Sequence, residues 1–246
     1  MEDKELLISR IKDLDRVSYE RGLGRHSQFL SLSEQNVFHS IEKELMCRET
    51  ELSGGHEDAD RCMIIWKGIG DEAPIACVKA VPVSEKYSDD LTHRDYLGAL
   101  MNLGIERDCL GDILIRDNTA YVFCSEGMAD FICDQLTRVK HTNVVCNRAA
   151  FSECSCAPEL KDLKVNIASE RIDAIIAAVF KLSRSAASGL MDTEQVFIDG
   201  RTARGCGVRI NEGSRISVRG HGKFIYGGIS HESRKGRLFV SVKLFV

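Results

Sequence analysis

The sequence predicts an α+β fold in three successive parts, which we place at residues 1–74, 75–155 and 168–246. The 246 residues exceed what a single core of about 100 to 150 residues requires. Apolar residues recur at helical spacing in some segments and alternate in others, with turn residues between them. Charge is also divided, because residues 171–246 hold 13 Lys and Arg against 6 Asp and Glu, whereas residues 1–170 hold 20 against 31. A basic C-terminal module of net charge +7 therefore follows an acidic body of net charge −11.

The N-terminal part is predicted to be mainly helical. Helical spacing predicts an amphipathic helix over residues 3–21, which ends at Gly22 and Gly24. Its apolar residues are Leu6, Leu7, Ile11, Leu14 and Val17. A second helix, capped by Ser33, carries Val37, Phe38, Ile41 and Leu45. The apolar run Cys62 to Trp66 then predicts a short buried strand.

The middle part predicts the element order βαββαβ. Strands are expected at residues 76–83, 112–116, 119–124 and 143–147, with helices over 93–103 and around 128–136. Asp117 and Asn118 suit a hairpin turn, Gly104 suits a helix end, and Gly98 is interpreted as a close-packing position. Two crossover helices on one face of a four-stranded antiparallel sheet make a ferredoxin-like domain. RNA-recognition motifs share this layout, but the central strands offer only Tyr121 and Phe123 for base stacking, and both also suit a core.

The C-terminal part begins with two short helices and continues as strands. Ile172, Ile175, Ile176 and Val179 form a helical stripe, and a second helix is expected over residues 183–191. Strands are expected at residues 195–198, on both sides of the turn at residues 211–213, and over 237–246. Asp199 and Gly200 form the turn that follows the first of these strands.

Composition excludes several classes of protein. Hydrophobic content of 43% and charged content of 28% are those of a soluble globular chain. No apolar run reaches the ~18 residues that span a bilayer and no signal peptide is recognisable, so we expect a cytoplasmic protein with no membrane contact. The ten cysteines are then expected to be reduced thiols. Cys154 and Cys156 are the close pair, which is weak evidence for metal, and we expect no metal and no cofactor.

A candidate RNA-binding surface lies in the C-terminal part. Two short helices and a hairpin can present Arg171, Lys181, Arg184 and Arg201 along one surface, and the hydroxyls of Ser183 and Ser185 add neutral donors. Guanidinium groups bind phosphate in a bidentate way, and amides at a helix start bind anions. The alternatives stay open: Ser183 as a simple helix N-cap, and Arg171 as an ion-pair partner of Asp173 or Glu170.

The same residues resemble a known RNA-binding domain. Its pattern is carried by Glu170 to Asp173, Ser183 to Ala187, Val196 to Arg201 and Ile210 to Val218. This segment is similar to the domain named for small-subunit ribosomal protein four, the alpha-L motif. Two departures are Asp199, where asparagine is common before the glycine, and the turn Gly205, Cys206, Gly207. The resemblance implies an alpha-L-type RNA-binding domain at the C-terminus.

A second resemblance covers nearly the whole chain. The run His93 to Ile105, then Gly111 to Ile113, together with Phe29, Leu30, Gly54, Gly55 and Asp58 to Arg61, resembles the YlmH family of bacterial proteins. The resemblance implies a cytosolic protein that associates with the large ribosomal subunit, its ribosomal RNA and tRNA. It also implies links to the rescue of stalled, split ribosomes, a form of translation quality control, and to cell division.

Two further basic segments are interpreted as RNA contacts. His93, Arg94 and Asp95 are consecutive helical residues that point in different directions, so a helix-start network with Arg94 on phosphate is favoured over an acid–base site. Lys223, in the stretch Gly220 to Lys223, and the stretch Arg234 to Arg237 suit backbone phosphate, the alternative being solvated hairpin turns.

Catalysis has no recognisable motif, and we expect no enzyme activity. Arg171, Ile172, Asp173 mimics the Arg-Leu-Asp element of pseudouridine synthases, but no room remains for their separate catalytic domain. A methyltransferase is weaker still, since Gly68, Ile69, Gly70 is too short a glycine-rich loop. The remaining alternative is a cell-division interaction adaptor that meets a protein partner through its acidic N-terminal two-thirds.

Overall fold

The computed structural model describes residues 2–69, 74–154, 160–233 and 236–245. It is α+β, as predicted, and divides into two compact units, Met1–Cys156 and Ala157–Val246. The helices are α1 (Glu2–Arg21), α2 (Leu32–Ile41), α3 (His93–Asn102), α4 (Ala129–Gln135), α5 (Ile172–Val179) and α6 (Arg184–Asp192). The strands are β1 (Arg25–His26), β2 (Thr50–Ser53), β3 (Met63–Trp66), β4 (Ile75–Pro82), β5 (Leu110–Arg116), β6 (Thr119–Ser125), β7 (Arg138–Val139), β8 (Thr142–Ala149), β9 (Leu160–Ile167), β10 (Val196–Ile198), β11 (Arg201–Thr202), β12 (Arg215–Val218), β13 (Gly222–Glu232) and β14 (Leu238–Phe245).

The N-terminal region packs α1 and α2 on a three-stranded antiparallel sheet of order β1-β3-β2. Trp66, which is fully buried at the end of β3, donates from Nε1 to Asp15 Oδ1 of α1 over 3.0 Å. Asp15 also accepts hydrogen bonds from the backbone N–H groups of Met46 and Cys47. The buried carboxylate therefore ties a helix, a strand and a loop together, and its hydrogen bonds offset the cost of burying a charge.

The two predicted N-terminal helices form with small differences. The first apolar stripe is buried at Ile11, whereas Leu6 is 52% exposed and lies outside it. The predicted cap of α2 at Ser33 is wrong. Ser31 precedes the helix, and its N–H and Oγ donate to Glu34 Oε2 over 2.7 and 2.5 Å, which is the reciprocal half of a capping box.

The middle domain confirms the predicted βαββαβ order. Its antiparallel sheet has the order β5-β6-β4-β8, with β7 added at the edge beside β8. This is the strand order of a ferredoxin-like fold. Helices α3 and α4 bury Tyr96, Leu100 and Ile132 against one face of the sheet. Asp117 and Asn118 have φ of 46° and 59°, as the predicted tight hairpin turn requires.

The other face of this sheet is covered by the N-terminal region. Phe29 and Met63 pack against Cys77, Tyr121 and Phe123 in one buried cluster. Tyr121 is 8% exposed and Phe123 is fully buried. The two aromatic residues that occupy the base-stacking strands are therefore core residues, which is the interpretation that the sequence left open.

One arginine strengthens this contact between the two parts of the first unit. Arg61 donates from Nε to Leu110 O over 2.8 Å and from Nη2 to the carbonyls of Phe29 and Arg107 over 2.9 and 3.0 Å. Beside it, a Cβ added to Gly111 would lie 2.8 Å from the ring of Phe29. Only glycine fits at this close approach of strand β5 to the N-terminal region.

Gly98 differs from its predicted role. A Cβ built on Gly98, in the middle of α3, would meet nothing within 4 Å, so the residue is not needed for close packing inside the domain. Gly104, with φ of 83°, takes the left-handed conformation that ends the helix, as predicted.

The C-terminal unit is built on a six-stranded antiparallel sheet of order β11-β10-β12-β13-β14-β9. The sheet includes β9, which precedes the predicted start of the C-terminal domain at residue 168. Helix α5 buries the whole predicted stripe of Ile172, Ile175, Ile176 and Val179. A strand forms only on the C-terminal side of the turn at residues 211–213, as β12, and residues 203–214 form a loop.

The cysteines of the described residues are free thiols, as the sequence predicts. Five of them are buried, and Cys77 Sγ lies 3.2 Å from Cys154 Sγ. Cys156 lies outside the described residues. Within the described ranges, no helix combines the length and the apolar character needed to cross a membrane.

Candidate nucleic-acid interface

The start of α5 is organised by an ion pair. Arg171 is the N-cap residue of α5, and its Nε and Nη2 donate to Asp173 Oδ1 and Oδ2 over 3.0 and 3.1 Å. Asp173 is 4% exposed, whereas 49% of the Arg171 side chain is exposed. The structure therefore realises the ion pair with Asp173 that the sequence offered as the alternative for Arg171. The exposed guanidinium keeps N–H donors for an external acceptor.

Arg184 belongs to the same cluster. Burial alone would raise the pKa of Asp173, but the hydrogen bonds and charge of Arg171, the Ala174 N–H and the charge of Arg184 together hold this pKa below its ordinary value. Asp173 thus remains ionised, with Arg171 bonded to it and the charge of Arg184 acting on it. Arg171 precedes α5 and Arg184 begins α6, and both are exposed, so both guanidinium groups can bind phosphate oxygens.

The turn between α5 and α6 fixes the next candidates. Lys181 has φ of 55°, and Leu182 N–H donates to Ala177 O over 2.9 Å, which is the hydrogen bond of a Schellman helix end. Ser183 then caps α6, since its Oγ accepts from Ala186 N–H over 3.1 Å. Ser185 Oγ lies 3.0 Å from Ser183 Oγ, and both residues are exposed. The predicted N-cap role of Ser183 is confirmed by this geometry.

The predicted turn at Asp199 and Gly200 presents Arg201 at the edge of the sheet. Asp199 and Gly200 have φ of 49° and 77°, the conformation of a two-residue hairpin turn. Asp199 Oδ1 accepts from Arg215 N–H over 2.7 Å, so aspartate makes the backbone contact that this departure from the pattern put in doubt. Arg201 follows in β11, which is the edge strand, and it is exposed.

A loop that the sequence reasoning did not use brings more charge to the Arg171 cluster. Cys206 O accepts from Ile172 N–H over 3.3 Å, and Cys206 Sγ lies 3.9 Å from Ser188 Oγ of α6. The loop of residues 203–207 therefore packs beside the start of α5 and the middle of α6, and it carries the exposed Arg204. The sequence could have indicated Arg204 as a candidate, because this arginine directly precedes the turn Gly205, Cys206, Gly207.

Lys181 and Lys223 lie near the opposite end of α5. The Phe180 ring is 5.9 Å from both His221 and Phe224, and Lys223 Nζ lies 5.0 Å from the centre of the Phe245 ring. The eight residues of α5 correspond to about 12 Å between the two ends. The predicted basic surface thus extends along α5, from Arg171 at its start to Lys181 and Lys223 near its end. In the other predicted basic stretch, Arg234 and Lys235 lie outside the described residues.

The candidate residues of the middle domain, His93, Arg94 and Asp95, do not form one site, as expected for consecutive helical residues that point in different directions. Although His93 is exposed, partial burial of its ring lowers its pKa, and the charges of Arg107 and Arg94 lower it further. The imidazole is thus neutral at pH 7 and does not add a cation for phosphate. Arg94 and Asp95 instead line a groove along α3, and Asp95 caps the helix by accepting from Thr92 N–H over 2.8 Å.

The charged groups of the Arg171 cluster are suited to binding an anion. Among the described residues, no group of three or more His, Cys, Asp or Glu side chains is arranged to hold a metal ion. The charged groups at the Arg171 cluster are guanidinium groups on fixed backbone elements, and the acid among them is buried and doubly hydrogen bonded. Such an arrangement suits the recognition of phosphate.

Two known proteins or protein families match this chain in sequence. Residues 77–153 match the family model described as "Putative RNA-binding domain in YlmH". The ribosome-associated protein quality control protein P2 of Bacillus subtilis (strain 168) is 24% identical over 241 residues, which cover 96% of this chain and 93% of the relative. These two matches confirm the resemblance to the YlmH family.

One solved structure also matches part of the chain. The cell division protein ylmH from Streptococcus pneumoniae is 16% identical, with a TM-score of 0.49, and the match covers 62% of this chain and 94% of that one.

Proposed function

Taking the chain as a member of the YlmH family, we propose that it binds structured ribosomal RNA on the large ribosomal subunit and catalyses no reaction on it. The binding serves the rescue of stalled ribosomes in the cytoplasm, with tRNA on the obstructed subunit as a second contact. The relative from Bacillus subtilis bears a name from ribosome-associated quality control, and the middle domain matches a model for RNA binding.

The observation that carries the proposal is the Arg171 cluster. Arg171 is bonded to the buried carboxylate of Asp173, the charge of Arg184 also acts on that carboxylate, and the loop with Arg204 packs beside the start of α5. The sheet edge adds Arg201, and the exposed start of α6 adds the hydroxyls of Ser183 and Ser185. Because guanidinium groups that are held in place bind phosphate with less loss of side-chain entropy, this surface favours the backbone of folded RNA.

The enzyme alternative is weakened by Asp173. A pseudouridine synthase would need the aspartate of its Arg-Leu-Asp element to reach the substrate base. Here the matching carboxylate is buried and accepts two hydrogen bonds from Arg171 of the same triplet. The carboxylate therefore serves to orient Arg171.

Sedimentation tests the proposal. Tagged protein in a cell lysate is run through a sucrose gradient beside two charge-reversal variants, Arg184→Glu/Arg201→Glu and Lys161→Glu/Lys164→Glu. The second pair is the matched control, because both lysines are exposed on β9, at the opposite edge of the same sheet from β11. We expect the wild type and the control to migrate with large subunits, and the first variant to stay at the top of the gradient.

Each other outcome has a definite meaning. Wild-type protein that remains at the top at low salt would overturn stable ribosome binding. Co-migration of all three proteins would favour the adaptor alternative, since a protein partner tolerates the loss of Arg184 and Arg201. With purified subunits, loss of two phosphate contacts should reduce the slope of log affinity against log salt by about two units. Subunits with and without bound tRNA, compared in the same assay, test the tRNA contact.

A further inference from the structure

A groove of about 620 Å³ runs along α3 on the helical face of the middle domain. One wall is the exposed side of α3, with Arg94, Gly98 and Asn102. The other wall is the segment from Gln135 to Lys140, which leads from α4 into β7. The volume lies within the range of about 300 to 1,000 Å³ that is typical of ligand sites.

Gly98 makes the centre of the groove unusually open. Glycine inside a helix costs roughly 1 kcal/mol relative to alanine, because it orders a freer backbone. Nothing in the domain requires this glycine, since a Cβ would meet no atom within 4 Å. Close approach of a ligand from outside the domain would account for this cost.

The groove is positively charged in a negatively charged unit. Residues 1–156 hold 18 Lys and Arg against 28 Asp and Glu, yet the groove is lined by Arg94, Arg138 and Lys140 against one carboxylate, Asp95. Lys140 Nζ lies 2.8 Å from Asp95 Oδ2 and joins the two walls. The hydrogen bond from Lys140, followed by those from Thr92, lowers the pKa of Asp95 to about 2, so this pair stays ionised and neutral as a whole. Arg94 and Arg138 then give the lining a net charge of +2.

The lining also has apolar surface beneath the charges. Ala99, Leu103 and Leu136 contribute apolar side chains to the groove. An apolar floor with cationic groups at the rim matches an unpaired nucleotide, whose base avoids water and whose phosphate is an anion. A double helix fits less well, because its bases are already stacked and only its backbone could reach the rim.

We propose that the α3 groove binds unpaired nucleotides of RNA, with phosphate on Arg94 and Arg138 and the backbone of the RNA passing over Gly98. The inference rests on the proposed RNA-binding function and adds to it a second contact of different chemistry. The C-terminal unit binds folded RNA by its phosphates, and the groove selects a single-stranded segment.

The test isolates the groove by removing the other contact. Full-length protein with Arg184→Glu/Arg201→Glu is the background, and the probe is a fluorescently labelled 12-nucleotide single-stranded RNA of mixed sequence. Into this background we introduce Gly98→Leu, Arg94→Glu/Arg138→Glu, or the control Lys43→Glu/Arg48→Glu. The control residues are exposed in the N-terminal region, far from α3 in the chain, and reverse the same charge.

We expect both groove variants to weaken binding of the single-stranded RNA at least tenfold and the control to change it less than twofold. Gly98→Leu should keep or raise the melting temperature, because the position is open and leucine is a better helix former. A duplex RNA of the same length should bind the background protein more weakly than the single strand does. Crosslinks from 4-thiouridine in the RNA should map to peptides of α3 or of residues 135–140.

Two results would contradict RNA binding by the α3 groove while leaving the proposed function intact. One is unchanged affinity in both groove variants, with large-subunit binding by the wild type retained. The other is binding of a poly-glutamate peptide that the groove variants abolish while RNA affinity stays constant, which would assign the groove to an acidic protein partner. Failure of the proposed function is distinct, because it appears as absence of the wild type from the large-subunit fractions.

Discussion

Helices α5 and α6 are sequence neighbours of nearly equal length, but they are stabilised in different ways. Seven of the eight residues of α5 are buried, whereas α6 buries only Ala187 and Met191 of its nine. Helix α5 is thus stabilised by packing on the sheet. Helix α6 is stabilised by its N-cap and by its two buried residues, Ala187 and Met191. The comparison teaches that stability depends mainly on the buried side chains of α5, whereas α6 supplies mainly exposed side chains that can serve binding. Changes in one should therefore leave the other property largely intact.

The largest expected effect on stability comes from the buried helix. Ile175 is fully buried on α5, so Ile175→Ala should lower the free energy of unfolding of the C-terminal unit by about 3 kcal/mol, through lost burial and a cavity. Urea unfolding followed by circular dichroism measures this loss. Ser188→Ala, on the more exposed helix, is the control and should cost less than about 0.5 kcal/mol. Equal losses in both variants would contradict the division between the helices.

Asp173→Asn tests the charge that links the two helices. Its hydrogen bonds to Arg171 are charge-assisted, so their weakening should cost about 2 kcal/mol. Because the folded pKa of Asp173 lies below its ordinary 3.8, its ionisation stabilises the fold above pH 3.8, and this contribution is lost as the pH falls through the folded pKa. Urea midpoints between pH 7 and pH 2 should show this loss in the wild type and less of it in the variant. Parallel pH profiles would disprove a stabilising Asp173 charge.

The cap of α6 should have a smaller effect. Ser183 accepts the hydrogen bond of Ala186 N–H, so Ser183→Ala should cost about 1 kcal/mol in the free energy of unfolding. Ser185→Ala is the matched control, because Ser185 occupies the first turn without the cap position, and it should cost less. If Ser185→Ala is the more damaging of the two, the cap does not hold α6.

Lys181→Gly should have the smallest effect on stability. It should also separate stability from RNA binding. Lys181 has a left-handed φ of 55°, which glycine adopts without strain, so the free energy of unfolding should rise by up to about 1 kcal/mol. The same variant should weaken RNA binding and reduce its salt slope by about one unit. Glu194→Gly is the control, since its φ is 54° and it is also exposed, but it carries no positive charge. Weaker RNA binding by both variants would mean that backbone conformation, rather than charge, explains the effect.

The sequence predicted the elements that are marked locally, by a regular apolar pattern and by turn residues at their ends. The middle domain followed from alternating strands, from Asp117 and Asn118 at a tight turn and from Gly104 at a helix end, all of which act within a few residues. Strand β9 was missed because its residues are mostly exposed and polar, so it lacks the alternation of a half-buried strand. Its place depends on pairing with β14, some 80 residues away in the chain, which no local pattern encodes.

The sequence predicted which residues belong to the candidate site, but it did not predict how they are arranged or which of them are buried. The basic charge and the turn of Asp199 and Gly200 located the C-terminal surface. The sequence did not indicate that Asp173 would be buried beneath Arg171, because burial is decided by the packing of α5 on a sheet that forms later in the chain. The α3 groove likewise pairs Arg94 with Arg138 across 44 residues, and its openness at Gly98 appears only in the folded domain.

The N-terminal region covers one face of the middle sheet, so the segment that the family model matches and the segment that folds are not the same. Residues 77–153 match the family model and so are a unit of sequence similarity. Excised at those limits, the sheet would expose Phe123 and Tyr121 to water and would lose Arg61, whose guanidinium joins strand β5 to the N-terminal region. The fragment is therefore expected to aggregate when expressed alone, since an uncovered apolar sheet face pairs with other copies. The segment that the family model matches is thus shorter than the segment expected to fold on its own.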